Sequence, residues 1–134
     1  MKVLSLKEPY ASLIKEKIKT VETRSWKTNY RGELYIHASQ SKSPINNKRL
    51  KSLTKNIELN PGHILCKCNL VDCIYMTKEY VEQMKKENYD EYICGEYKEG
   101  RYAWILKDIV PLKEPIKVKG QLNVWNYHNE IKED

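Results

Sequence analysis

The densest group of residues able to do chemistry lies in IKEKIKTVETRSW, residues 14–26. Lys19, Glu22 and Arg24 are spaced K-x-x-E-x-R, and Trp26 follows two residues later. On an extended segment, residues two apart share a face, so Glu22, Arg24 and Trp26 project together. A carboxylate beside a guanidinium holds it through charge-assisted hydrogen bonds. A compact ammonium such as Lys19 binds phosphate or helps polarise a reacting group. The competing reading is a solvated polar strand face with an ordinary surface ion pair, which contributes little. His37 adds an acid–base group or a phosphate donor if its strand pairs as a hairpin with that of Glu22 and Arg24. Otherwise it is a strand histidine bonded to a neighbour.

Other chemistry is weakly signalled. Cys66, Cys68, Cys73 and Cys94 are spaced C-x-C-x4-C-x20-C, which does not form two C-x2-C knuckles. Cys66 and Cys68 fall on one strand face and read as buried thiols, so no metal and no cofactor is expected. There is neither G-x-G-x-x-G nor G-x4-G-K-[ST], which removes the usual nucleoside-triphosphate cradles. Ser39, Ser41 and Ser43 around Lys42 suit a flexible, anion-friendly loop. Lys48, Arg49, Lys51 and Lys55 form a basic stripe able to track a phosphate backbone, or simply a solvated helix face. Trp104 and Trp125 read as core or pocket-wall residues rather than open stacking platforms.

Length and composition frame these groups. The 134 residues predict a single domain over 1–134, with charged residues at 31% and no long apolar run. The N-terminus has no secretory h-region, so a cytoplasmic, reducing setting and no membrane partner are expected. The net charge of +6 is unevenly spread: residues 1–56 carry 13 Lys/Arg against 4 Asp/Glu, whereas residues 57–134 carry 11 against 14. A basic face on one domain explains this better than two very small domains. Phe is absent while Tyr numbers 10 and Trp 3, so rings with polar edges must help build the core.

The elements that must position these side chains follow from periodicity. Alternation predicts strands over residues 1–6, 20–26, 33–38, 63–76, 101–112 and 115–119. Residues 9–17 have helical spacing with Pro9 in the first turn. Pro44 opens a second helix, and Thr77 caps a third. The acidic, tyrosine-rich stretch 90–100 reads as a loop. Short strands with interspersed helices predict an α+β fold, a small and mostly antiparallel β-barrel with flanking helices.

At this point the chain resembles a known family. LSLKEPYASLIKEKIKTVETRSW is similar to the opening of ASCH domains, of the PUA-like superfamily: Pro9-Tyr10 match its Pro-aromatic pair, and Lys19, Glu22 and Arg24 match K, E and R of its G-x-K-x-x-E-x-R motif. Lys17 stands where that motif has Gly. RGELYIHAS and RYAWILKDIVPLKEPIKVKGQLNVW resemble the strands that follow and close the domain, whereas the middle, residues 40–99, is anchored by no motif.

The resemblance implies a cleft around Lys19, Glu22 and Arg24 and an RNA or nucleotide ligand. It also implies an alternative, a small hydrolase of the N4-acylcytidine amidohydrolase type or a ribonuclease. In the amidohydrolase type a Thr follows the motif Lys by three residues, and here that position is Glu22. As a binding module, the cleft uses Lys19 and Arg24 on phosphate, Glu22 on Arg24 or a base amino group, and Trp26 or Trp104 for stacking. Lys7, Arg31 and the 48–55 stripe extend its electrostatic reach. As an enzyme, Glu22 is the base, Lys19 or Arg24 steadies an oxyanion and His37 is a possible acid. A third reading has the segment 88–99 recruit a protein.

Overall fold

The computed structural model describes residues 1–128. Six strands form one sheet in the order β2-β5-β4-β3-β1-β6. These are β1 Lys2–Glu8, β2 Val21–Arg24, β3 Gly32–Lys42, β4 His63–Tyr75, β5 Tyr102–Lys117 and β6 Val124–Asn126. The β1–β3 ladder is parallel and the other four ladders are antiparallel. Strands from the basic and the acidic parts of the chain therefore interleave, and the charge asymmetry marks no boundary.

Several expectations are corrected. β2 does not form a hairpin with β3; it pairs with β5, placing Glu22 opposite Trp104. The two strands expected over 101–112 and 115–119 are one 16-residue strand, β5. Its ladder with β2 ends at Ile105, so Pro111 and Pro115 lie where the flank away from β4 is unpaired and a missing N–H removes no bond there. Bulging at Leu65 also separates Ile64 from Cys66, so they join different core clusters despite their two-residue spacing.

Helix limits shift for local reasons. The first helix, α1, spans Tyr10–Lys15 with Pro9 as its cap. It ends early because the chain turns left-handed at Lys17, φ 63°. The second, α2 (Lys48–Thr54), starts at Asn47 rather than Pro44, because the Asn47 side chain accepts the Leu50 N–H at 3.0 Å. The third, α3 (Lys78–Glu87), is capped by Thr77 as expected, with Oγ1 accepting the Tyr80 N–H at 3.1 Å.

The expected acidic loop contains a further helix, α4 (Tyr89–Ile93). Glu91 on α4 is buried and accepts from Thr20 N at 2.8 Å, Thr20 Oγ1 at 2.9 Å and Val21 N at 3.4 Å. That carboxylate satisfies the open edge at the start of β2.

The main core lies on the concave side of the sheet. Leu4, Leu6, Leu34, Ile36, Cys66, Leu70, Trp104 and Leu106 pack there under Ala11 and Ile14 of α1. A smaller cluster on the other face joins Val3, Tyr35, Ile64 and Trp125.

The fold is α+β with flanking helices, but the sheet does not close into the expected barrel: β2 and β6 end the strand order, and no ladder joins β2 to β1 or β6 among the described residues. The sheet curls far enough for a side chain to bridge that gap: Arg24 Nη2 donates to the Ser5 carbonyl at 3.2 Å.

Candidate functional site

The gap between β2 and β1 is an open cleft of about 1160 Å³. Glu22, Arg24 and Trp26 line it from the β2 side, Ser5 and Lys7 from β1, and His37, Ser39 and Ser41 from the end of β3. Residues 117–123, from the end of β5 to the start of β6, form another wall, and Tyr10, Cys94, Gly95, Glu96 and Arg101 also line the cleft. The serines expected in a loop lie in this order: Ser39 and Ser41 belong to β3, and Ser43 follows it and also lines the cleft.

The K-x-x-E-x-R residues form a chain of contacts. Lys19 is 1% exposed, and its Nζ donates to the carbonyls of Val21 at 2.6 Å and Cys94 at 2.7 Å. The same Nζ lies 3.5 Å from Glu22 Oε1. Glu22 Oε2 lies 3.0 Å from Arg24 Nε. The face is buried rather than solvated because Glu22 sits beside Trp104 on the concave side. Lys19 is therefore held by three protein oxygens beneath the cleft and is absent from its lining. Arg24 packs over the Trp26 ring at 5.3 Å, and Trp26 is 40% exposed.

Trp104 is fully buried. It meets Trp26 edge-on at 6.2 Å and donates its indole N–H to the Trp26 carbonyl at 3.3 Å. Its position is that of a support, not a stacking surface. Arg31 lies outside the cleft, bonded to the Thr28 and Tyr30 carbonyls and 3.9 Å from Asp72.

His37 reaches the cleft by way of β1, not β2. Its Nδ1 is 3.0 Å from Ser5 Oγ and its Nε2 is 2.7 Å from the Val118 carbonyl. Carbonyls only accept, so Nε2 carries the proton and Nδ1 accepts from the serine. Burial lowers the His37 pKa below its ordinary value, against the opposing pull of the Val118 carbonyl. The neutral ring is thus a brace between β3, β1 and the 117–123 wall, with Trp125 Nε1 donating to the same Ser5 Oγ at 3.0 Å.

Lys7 is exposed on the rim, as are Lys117 and Lys119 of the wall. Sequence reasoning missed Ser5 and the wall; the available signal was KVKGQLN, a basic, glycine-broken stretch whose first residues fall in the strand expected over 115–119. Arg101, also missed, lines the cleft while bonded to Glu96 at 3.1 Å and to the Thr23 carbonyl. On α2, Lys48, Lys51 and Lys55 are exposed, but Arg49 is bound by Asp90 of α4 through two 2.9 Å bonds. The cysteines are free thiols. Burial raises all three of Cys66, Cys68 and Cys94, Cys68 to about 12 and Cys94 to about 11.

These features define a class: a small α+β domain with an open, mostly antiparallel sheet whose unclosed seam is a polar, basic-rimmed cleft. The family model described as the ASCH domain matches residues 4–116, and the chain belongs to that family, whose fold is PUA-like. Among curated proteins it is similar to activating signal cointegrator 1 of Homo sapiens and of Mus musculus, at 29% and 28% identity. Each match covers 96% of this chain and 22% of the relative, so the chain spans about a fifth of those proteins' length. Among solved structures it resembles the ASCH protein of Zymomonas mobilis at TM-score 0.57 and 21% identity, covering 87% of this chain and 72% of that one. A mutant of that protein matches at TM-score 0.55 and 20% identity, covering 87% and 74%. At such identities the likeness speaks for the fold alone. No helix among the described residues is long and apolar enough to cross a membrane.

Proposed function

We propose that residues 1–134 act as one RNA-binding module whose seam cleft takes a short single-stranded stretch. The observation that carries this is the cleft itself: at about 1160 Å³ it exceeds the ~300–1,000 Å³ typical of small-molecule sites. Its lining holds Lys7, Lys117 and Lys119, for which no ion pair is seen among the described residues, and the partly exposed Trp26. That combination suits a strand better than a free nucleoside.

In this reading Lys7, Lys117 and Lys119 meet phosphates and Trp26 stacks on a base. The Glu22–Arg24 pair presents acceptor and donor side by side to a base edge. Lys19 positions Glu22 rather than touching ligand, and His37 braces the wall. Trp104 supports Trp26. Arg31 stands apart from the cleft, whereas Lys48, Lys51 and Lys55 extend the basic path. The α2 helix adjoins the cleft because Leu50 and Leu53 pack with Tyr10 and Cys94, which also line it. Four free thiols support a reducing, cytoplasmic setting.

A hydrolase on N4-acylcytidine, or a ribonuclease, has weaker support. Thr20 already donates to Glu91, and Lys19 is bound by two carbonyls and a carboxylate. A decisive experiment titrates a fluorescein-labelled 10-nucleotide RNA by anisotropy at low salt, beside a paired incubation with N4-acetylcytidine. Binding is expected to weaken about tenfold in Trp26→Ala, consistent with ~1–3 kcal/mol per stacked base. No binding at low salt, or turnover of N4-acetylcytidine lost in Glu22→Gln, would reject the proposal.

A further inference from the structure

Leu122 is 90% exposed, more than any other large apolar side chain described, and it lines the cleft. A single exposed leucine is ordinary on a protein surface. This one stands at the tip of a turn that is built to be held still. Just before the turn, Val118 donates its N–H to the Gly62 carbonyl at 3.0 Å and accepts from His37 Nε2 at 2.7 Å.

Gly120 fits closely over His37 and Ser5: a Cβ there would lie 2.7 Å from His37 Cε1 and from Ser5 Oγ. Beyond the turn, Val124 and Trp125 enter the β1 ladder, and Trp125 Nε1 is fixed to Ser5 Oγ. Asn123, at φ 59°, makes the sharp bend that leaves Leu122 outward.

The turn is thus anchored at both ends, tipped with an apolar side chain, and flanked on its entry side by Lys117 and Lys119. Trp26 lines the same cleft. In nucleic-acid recognition an apolar side chain on a rigid, cation-flanked support is suited to enter between bases and unstack them. A base displaced from a stack then needs a pocket with an aromatic side chain and polar groups for its edge, which the same cleft supplies in Trp26, Glu22 and Arg24.

We infer that Leu122 is an unstacking wedge, and that the cleft receives a base drawn out of stacked or paired RNA rather than only a strand already unstacked. The inference rests on the RNA-binding reading and narrows its ligand to RNA with a base that must leave its neighbours. Lys117 and Lys119 hold the backbone beside the step that Leu122 opens. The bracing of the turn by His37, Gly120 and Trp125 is what lets the leucine push rather than fold away.

The test uses two RNAs, a hairpin carrying 2-aminopurine in its stem and an unstructured strand, both end-labelled so that binding is read by anisotropy separately from unstacking. With the full chain, 2-aminopurine fluorescence is expected to rise severalfold as the hairpin binds. Leu122→Ser, at an exposed site, is expected to fold normally, and its fluorescence is read on hairpin saturated with protein as anisotropy reports, so that weaker binding is not mistaken for lost unstacking. It is expected to lose the fluorescence rise on the hairpin, and Leu122→Met is expected to recover it. If the wild type binds the hairpin without a rise, or Leu122→Ser gives the full rise, the wedge is overturned while RNA binding stands. If neither RNA binds, the binding reading fails and the wedge with it.

Discussion

At the scale of single residues, the K-x-x-E-x-R motif serves structure before ligand. Lys19 and Glu22 form a buried ion pair completed by two carbonyls, so removing one partner leaves a charge in a dry site. Glu22→Gln is expected to lower stability by about 3 kcal/mol, the usual effect of breaking a buried pair, measured by urea denaturation. Lys19→Met added to Glu22→Gln is expected to lose less than the two single losses combined, because it removes the orphaned ammonium. Lys17 makes the reverse case. The motif that this segment resembles has Gly there, and the chain accepts Lys at φ 63°. A left-handed L-residue costs ~1–2 kcal/mol and glycine loses ~0.5–1 kcal/mol of chain entropy, so Lys17→Gly is expected to stabilise by about 0.5–1 kcal/mol. The spacing of Lys19, Glu22 and Arg24 was readable in the sequence; their burial was not, since it depends on Trp104 arriving 82 residues after Glu22.

At the scale of elements, local signals carried the helices and long-range ones decided the sheet. Thr77 announces α3 because its cap is made within three residues. The helix α4 was hidden because Asp90 and Glu91 look solvated until β2 is seen to need Glu91 as an acceptor. Alternation identified β2 and β3 as strands but implied a hairpin; pairing is chosen by side-chain fit across the ladder, and Val21 fits with Ala103 and Met76 in the cluster beneath α3. His37 shows the consequence. Its neutral form joins three elements, and its pKa is lowered by burial. The unfolded chain therefore takes up a proton at higher pH than the folded one. Stability is expected to be complete above the unfolded value of ~6.5 and to decline as pH falls below it toward the folded value. In His37→Gln, which keeps a side-chain donor and an acceptor, thermal unfolding followed from pH 7.5 to 5 is expected to lose part of that decline. An unchanged slope would count against the brace.

At the scale of the whole molecule, the charge excess of the first 56 residues becomes a geometric statement. Those residues supply β1, β2 and β3, which border the cleft, and α2, which packs against Tyr10 and Cys94 of its lining, while the acidic remainder neutralises only part of them, as Asp90 does Arg49. Among the exposed lysines two groups stand out, 7, 117 and 119 in the cleft lining, two of them from the acidic part of the chain, and 48, 51 and 55 on α2. They make different predictions about salt. Single-stranded binding falls with log salt at about −0.7 per neutralised phosphate, so the rim alone gives a slope of about −2 and both groups together about −4. The expected slope for the full chain on a 10-nucleotide RNA is about −4. Replacing Lys48, Lys51 and Lys55 by Ala is expected to bring it to about −2 without altering the fold, because all three are exposed. A wild-type slope already near −2 would confine the interface to the seam, and a flat one would remove the electrostatic basis for RNA as the ligand.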